Sequence, residues 1–421
     1  MSHPLDELVR AQKSGEGGGI ASICSAHPWV LKAVMGDTNP VLVESTCNQV
    51  NQFGGYTGMT PANFASFVYQ IAVQNNIPKE QILLGGDHLG PFPWQEEPAE
   101  SAMAKAAEMV CLYLRAGFTK IHLDASMRLG DDPSGNLDPE VSACRTAELA
   151  AVAEKSIPEP AALPSYVIGT EVPIPGGAQE HEDRVHVTAV EDVIRTVELM
   201  QAEFNRKGLE SAWERVIAMV VQPGVEFGDN FVLDYDPGAA HHLAKFSESL
   251  SFVYEAHSTD YQKRQSLMNL VRDHFAILKV GPALTFAYRE AVFALEMIEK
   301  ELVATGERSN LAEVLEQVML NHPVHWQKHY LGSPAEKALA RKYSLSDRIR
   351  YYWHEPPVQA ATEKLQANLK GITIPMSLLS QFAPLAFCRV REGEMRSSPN
   401  SVIKASIQAV WNDYRAACKP G

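Results

Sequence analysis

Several short segments of this chain end in groups able to bind a metal, move a proton or hold an anion. The densest is Gly85-Gly86-Asp87-His88-Leu89-Gly90-Pro91, where a carboxylate and an imidazole stand side by side among glycines. Others are His122 and Asp124 in Lys-Ile-His-Leu-Asp-Ala-Ser126, Glu171 after Gly169-Thr170, Gln222 before Pro223-Gly224, His257-Ser258-Thr259, and Lys279-Val280-Gly281. Ser25, His27, Glu44, Asn48 and Asn51 precede them. Imidazole with carboxylate or amide oxygen suits Zn²⁺ or a similar divalent ion. His88 and His257, completed by Glu171 and Gln222, therefore form a candidate metal site; a core or substrate-binding role for the two histidines is the competing reading. Ser258, Thr259, Lys279 and Gly281 supply hydroxyls, a cation and an open backbone for a phosphate. Lys279 has a competing use, as partner of an interior carboxylate.

Such groups act together only if the elements carrying them converge. Short runs rich in Val, Ile and Leu recur at Gly18–Cys24, Val41–Ser45, Ile82–Gly86, Lys120–Asp124, Tyr166–Thr170, Ala218–Gln222, Phe252–Ala256 and Ala276–Val280. They are continuously apolar, as strands covered on both faces are. Helical patterns separate them: Pro61–Asn75, with Thr60 as N-cap, Glu97–Ala116, Asp138–Lys155, Glu191–Lys207, Asp236–Glu248, Tyr261–Arg272 and Phe286–Leu302. Eight such units predict a (β/α)8 TIM barrel over residues 1–303, with an open doubly wound sheet as the alternative. The reactive groups then fall at the C-terminal strand ends, at one height, where this fold keeps its sites. From residue 304 to 421 the apolar runs stop, and proline-broken helices predict an extension packed on the barrel without its own core. Within it, Tyr343–Trp353 carries Arg348 and Arg350, read as a solvated or subunit-facing helix rather than a cover for the mouth.

Bulk properties narrow the function. The 421 residues are 45% apolar and 21% charged, with a net charge of −14, which disfavours nucleic acid or an anionic membrane as partner. Six scattered cysteines without a CxxC pair read as reduced thiols of a cytoplasmic protein. No signal peptide or membrane-spanning run of about 18 apolar residues is evident. Gly-x₄-Gly-Lys-Ser/Thr and a strand-following G-x-G-x-x-G are both missing, so no nucleotide cofactor is expected.

The segments Asn48–Pro61, Leu84–Pro91, Lys120–Ser126, Gly169–Pro173, Tyr254–Tyr261 and Tyr343–Trp353 together resemble the GatZ/KbaZ family over nearly the whole chain. That resemblance implies carbohydrate (galactitol or tagatose) catabolism. The family is described as the non-catalytic, stabilising subunit of class II tagatose-1,6-bisphosphate aldolase; some members are labelled tagatose-6-phosphate kinases, and some related proteins are ketose C4-epimerases. The family is in turn similar to the catalytic class II aldolases. By that likeness Asp87 is the proton donor, His88 and His257 are metal ligands, and Glu171 with Gly176-Gly177, Asp124 and Ser126, and Lys279 to Gly281 occupy matching strand ends. Where those aldolases place another metal histidine, this chain has Gln222, so a three-histidine site is not expected, and either an oxygen ligand substitutes or the metal binds weakly.

The site residues implied are Asp87, Glu171 and Asp124 for catalysis, and His88, Glu171, Gln222 and His257 for the metal, Zn or else Mn. Asn48, Ser126, Ser258, Thr259, Lys279 and Gly281 are expected to hold a phosphorylated ketohexose. C4 lies β to the C2 carbonyl, so its proton is not acidic; inversion there calls for retro-aldol cleavage and re-addition. The leading expectation is C4 epimerisation between tagatose 6-phosphate and fructose 6-phosphate in a homo-oligomer. The alternative is a stabilising subunit for a separate class II aldolase chain; a third reading, direct aldolase activity, differs from the first only in whether the fragments escape.

Overall fold

A computed structural model describes residues 3–36, 40–158, 162–169 and 185–419. Eight parallel strands close into a barrel: β1 (Ile20–Cys24), β2 (Val41–Thr46), β3 (Ile82–Leu89), β4 (Lys120–Leu123), β5 (Ser165–Ile168), β6 (Val216–Val220), β7 (Val253–Ala256) and β8 (Phe275–Val280). Closure comes from β1 pairing with β8, Ile20 opposite Ile277 and Ile23 opposite Val280. The barrel expectation holds, and the apolar runs located every strand because both faces of each are covered. A two-stranded antiparallel ribbon, Glu226–Phe227 with Val232–Leu233, follows β6 and went unforeseen.

The helices follow local rules. Thr60 and Asn63 form a capping box at the start of Pro61–Gln74. Gly117, just past Ala99–Arg115, adopts φ +89, the left-handed turn that ends a helix at little steric cost. The helix Pro4–Ser14, not anticipated, lays Leu5 against the apolar layer of Leu42, Leu83 and Val167 inside the barrel.

Residues after Leu302 are helical wherever regular structure occurs among those described. The last helix, Pro399–Ala417, packs on Pro282–Leu302, Arg264–Arg272 and Pro28–Val34. Gln408 donates to Ala33 O at 3.2 Å and Tyr414 Oη to Thr259 O at 2.6 Å. One continuous apolar cluster runs from the barrel strands through this extension. Among the described residues no helix is long and apolar enough to cross a membrane.

Candidate metal centre and substrate cavity

The centre begins with an irregularity in β3. Gly86 pairs with Ile121 and Leu89 with Leu123, so Asp87 and His88 together face His122 alone. This is a β-bulge, which turns side chains away from their regular alternation. His88 takes φ +48, a strained conformation of the kind that persists where surrounding structure enforces it. The glycines make the bulge possible: a Cβ on Gly85 would stand 2.7 Å from Glu44 Cγ, and one on Gly90 would collide with the Asp124 carbonyl.

The bulge aims both side chains into the barrel. Asp87 Oδ1 lies 2.9 Å from His122 Nδ1, and Asp87 Oδ2 pairs with the Lys279 ammonium. His88 Nδ1 lies 2.8 Å from Asp124 Oδ2, which leaves Nε2 facing Asp87 at 3.6 Å. His257 Nε2 contacts Glu255 Oε1 at 3.0 Å. The three imidazoles are mutually packed, with centroids 4.9 Å apart for His88 and His257, 5.1 Å for His88 and His122, and 5.4 Å for His122 and His257. Beneath them the Lys120 ammonium sits 2.6 Å from Glu44 and 2.7 Å from Glu255, all three fully buried.

Burial dominates the electrostatics. It depresses the His122 pKa to about 4 and that of His257 to about 3, so both rings are neutral at pH 7, the form that ligates metals. Burial works against the Asp124 carboxylate, yet its hydrogen bonds with His88 and Ser126 hold it well below the usual range. Burial also lowers the Lys279 pKa. By formal charge, Glu44, Asp87, Asp124 and Glu255 bring −4 and Lys120 and Lys279 bring +2, leaving −2 in a buried layer. Donor atoms of Asp87, His122, Glu255 and His257 lie within 4.8 Å of one another, and His122 Nε2 is buried with no partner. Neutral imidazoles, carboxylates and a net charge of −2 fit a divalent cation, and the Asp124 contact orients His88 as carboxylates orient metal-binding histidines.

Other sequence-predicted residues are placed differently. Gln222 is corrected: its carboxamide oxygen accepts from Gly224 N at 2.8 Å and Val225 N at 3.1 Å, closing a turn rather than facing a metal. Thr259 is likewise corrected, because it is fully buried and its hydroxyl donates to Lys279 O at 2.5 Å. The Gly281 backbone is not open: Asp260 Oδ1 accepts from Gly281 N at 3.0 Å and Ala283 N at 2.8 Å, so a carboxylate already caps the following helix. Lys279 takes its competing role, on Asp87. The Ser126 hydroxyl donates to Asp124 Oδ1 at 2.6 Å and lines a separate cleft. Asp124 therefore reads as a support for His88. Asn48 and Ser258 line the cavity above Asp87 and His88, together with His257 and Lys279. Glu171, with Gly176-Gly177, lies outside the described residues.

The extension reaches the mouth, contrary to expectation. Arg350 and Tyr351 line that same cavity, of about 90 Å³, and Arg350 also lines an adjoining one of about 370 Å³. Arg348 instead turns inward and donates to His325 O at 2.9 Å.

Comparison with known proteins matches residues 5–419 to the family described as D-tagatose-1,6-bisphosphate aldolase subunit GatZ/KbaZ-like. This chain belongs to the GatZ/KbaZ-like family. Curated relatives named D-tagatose-1,6-bisphosphate aldolase subunit GatZ, from Salmonella gallinarum and Salmonella typhimurium, are each 50% identical over 99% of both chains. A solved structure described as a probable tagatose 6 phosphate kinase from Sinorhizobium meliloti 1021 superposes with a TM-score of 0.88 at 48% identity, covering 95% of this chain and all of that one. In this GatZ/KbaZ-like chain, the sequence places His122 at a strand end without marking it as a ligand. Its signal was the spacing Lys120-x-His122 on β4, which puts both side chains on the inner face of the barrel, and the bulge opposite brings Asp87 to the ring. The third histidine of the cluster thus comes from β4, not β6.

Proposed function

We propose that this barrel carries out metal-dependent C4 epimerisation of a ketohexose phosphate, between tagatose 6-phosphate and fructose 6-phosphate, by retro-aldol and aldol steps. One observation carries the reading: Asp87 stands beside three mutually packed imidazoles in a buried layer with a formal charge of −2. A structural role alone gives no reason to bury so many ionisable groups, each of which costs several kcal/mol unless compensated.

His88, His122 and His257, with Glu255, would hold the ion. When bound, it supplies Lewis acidity to the C2 carbonyl and its C3 neighbour. Asp87 is the proton carrier. It takes the C4 hydroxyl proton as the C3–C4 bond breaks, and the bonding pair passes to the C2–C3 fragment. The aldehyde then turns, its other face is attacked, and Asp87 returns the proton to the new C4 oxygen. Asn48 and Ser258 contribute hydrogen bonds along the cavity wall.

The relatives' names favour a second reading more directly than they favour the first: a GatZ-type subunit that stabilises a separate class II aldolase chain. Phosphotransfer is not proposed, since the chain has no nucleotide-phosphate motif.

The test is an assay of the purified chain alone with Zn²⁺ or Mn²⁺ and tagatose 6-phosphate, reading fructose 6-phosphate. Turnover should vanish with EDTA and fall by roughly 10²- to 10⁴-fold in Asp87→Asn. A folded, metal-loaded chain that turns over no ketohexose phosphate, yet raises the activity of an added class II aldolase chain, would establish the second reading.

A further inference from the structure

The cavity over the metal centre is small. At about 90 Å³ it falls below the roughly 300–1,000 Å³ of ordinary small-molecule sites. The neighbouring chamber, about 370 Å³, lies within that range and shares Cys24, Gln49, Tyr56, Gly281 and Arg350 with the inner cavity. A six-carbon chain with its reacting carbons at Asp87 must extend somewhere, and this shared wall marks the direction.

The start of the helix after β8 is closed to a phosphate, because Asp260 already accepts its amide hydrogens and Thr259 faces the protein interior. A phosphate therefore needs another cation, and Arg350 stands where the chambers meet. Its guanidinium donates to Ser346 O, to Asp347 O at 3.0 Å and to Tyr351 Oη at 2.9 Å, and it lies 4.5 Å from the Tyr351 ring centroid. Three of its five N–H groups are thus used. The other two have no acceptor among the described residues, while the three bonds and the ring fix the fork in place.

Two residues of the chamber wall carry buried polar atoms without partners. Trp353 lines it and is 8% exposed, and its indole N–H is buried without an acceptor. His27 Nδ1, on the same lining, is also buried and unpartnered. Burial drives the His27 pKa down to about 3, so this ring is a neutral hydrogen-bonding group. Half-buried Thr362 and Gln366 add neutral polar contacts, and Glu363 stands exposed at the outer rim. Aromatic surface with neutral hydrogen-bonding groups suits a hydroxylated chain, and a fixed guanidinium suits a phosphate.

Resting on the epimerase reading, we propose that this chamber is the subsite for the phosphorylated end of the substrate, with Arg350 as the phosphate clamp. Arg350 is thus a specificity residue supplied by the extension to chemistry done in the barrel.

The test is calorimetric titration of the metal-free full chain with tagatose 6-phosphate and with unphosphorylated tagatose, beside steady-state kinetics of the metal-loaded chain. Arg350→Ala should weaken tagatose 6-phosphate binding roughly 10- to 100-fold and raise KM by a similar factor, leaving tagatose binding unchanged. Thr362→Trp, which puts a bulky ring on the chamber wall and keeps Arg350, should weaken the same ligand comparably and serves if Arg350→Ala does not fold. Wild-type affinity for tagatose 6-phosphate in both variants would overturn the proposal. An unchanged KM in an active Arg350→Ala variant would overturn the clamp and leave the epimerase standing. Arg350-dependent binding in a chain that never turns over would support the clamp while removing the epimerase.

Discussion

Replacing Lys120 by methionine tests how the barrel interior balances its charge. Lys120 contacts Glu44 at 2.6 Å and Glu255 at 2.7 Å, and none of the three is exposed. The distances are short, but the N–H groups are poorly aligned with the carboxylates, so attraction between charges holds the triad more than directed hydrogen bonds do. Burial opposes the ammonium, and Glu255 and Glu44 overcome it, keeping its pKa raised. Methionine preserves length and apolar stem but leaves two carboxylates buried beside each other. Breaking a buried pair in this way costs about 3–5 kcal/mol, and about 4 kcal/mol is close to a thousandfold in the folding equilibrium. Urea unfolding followed by circular dichroism and fluorescence should show that loss, with coincident transitions. Adding Glu44→Gln should restore at least half of it, because Glu255 keeps its contact with His257. A Lys120→Met protein within about 1 kcal/mol of wild type would refute the argument and mean that water or relaxation relieves this layer.

Asp347 gives a pH test away from the metal centre. Burial raises its pKa to about 7, although Thr285 donates to it at 2.5 Å. Its unfolded value is near 3.9, so the native state holds the extra proton between about pH 4 and 7, and stability falls as pH rises through that window. Asp347→Asn should therefore gain on wild type as pH rises from 5 to 8, by on the order of 1–3 kcal/mol; a pH-independent difference in thermal unfolding would contradict this. Thr259→Val should cost about 1–3 kcal/mol in stability, by stranding the buried Lys279 carbonyl, with KM for tagatose 6-phosphate within about twofold. A large KM increase at unchanged stability would restore Thr259 as a phosphate contact. His122→Ala should lose bound zinc, measured by mass spectrometry after dialysis, whereas Gln222→Ala should retain it; the reverse pattern would return the oxygen ligand to Gln222.

How much was legible in the sequence follows the range of the forces involved. Barrel strands declare themselves because double-sided burial demands continuous apolar runs, and helix ends because Thr60 and Gly117 satisfy backbone groups locally. Asp87, His88 and His257 could be placed at strand ends for the same reason. What tertiary structure alone decided depends on register and on distant partners. One extra residue in β3 turns Asp87 and His88 toward His122, and periodicity does not foresee such a bulge. Gln222, Thr259 and Gly281 have suitable chemistry at suitable places, yet their polar atoms are taken by Gly224 and Val225, by the Lys279 carbonyl, and by Asp260. Composition cannot show whether a donor is already occupied. Arg350 is read from sequence as one more charge on a surface helix, and only the packing of the extension against the barrel brings it to the mouth, because that packing sums many weak apolar contacts spread along the chain.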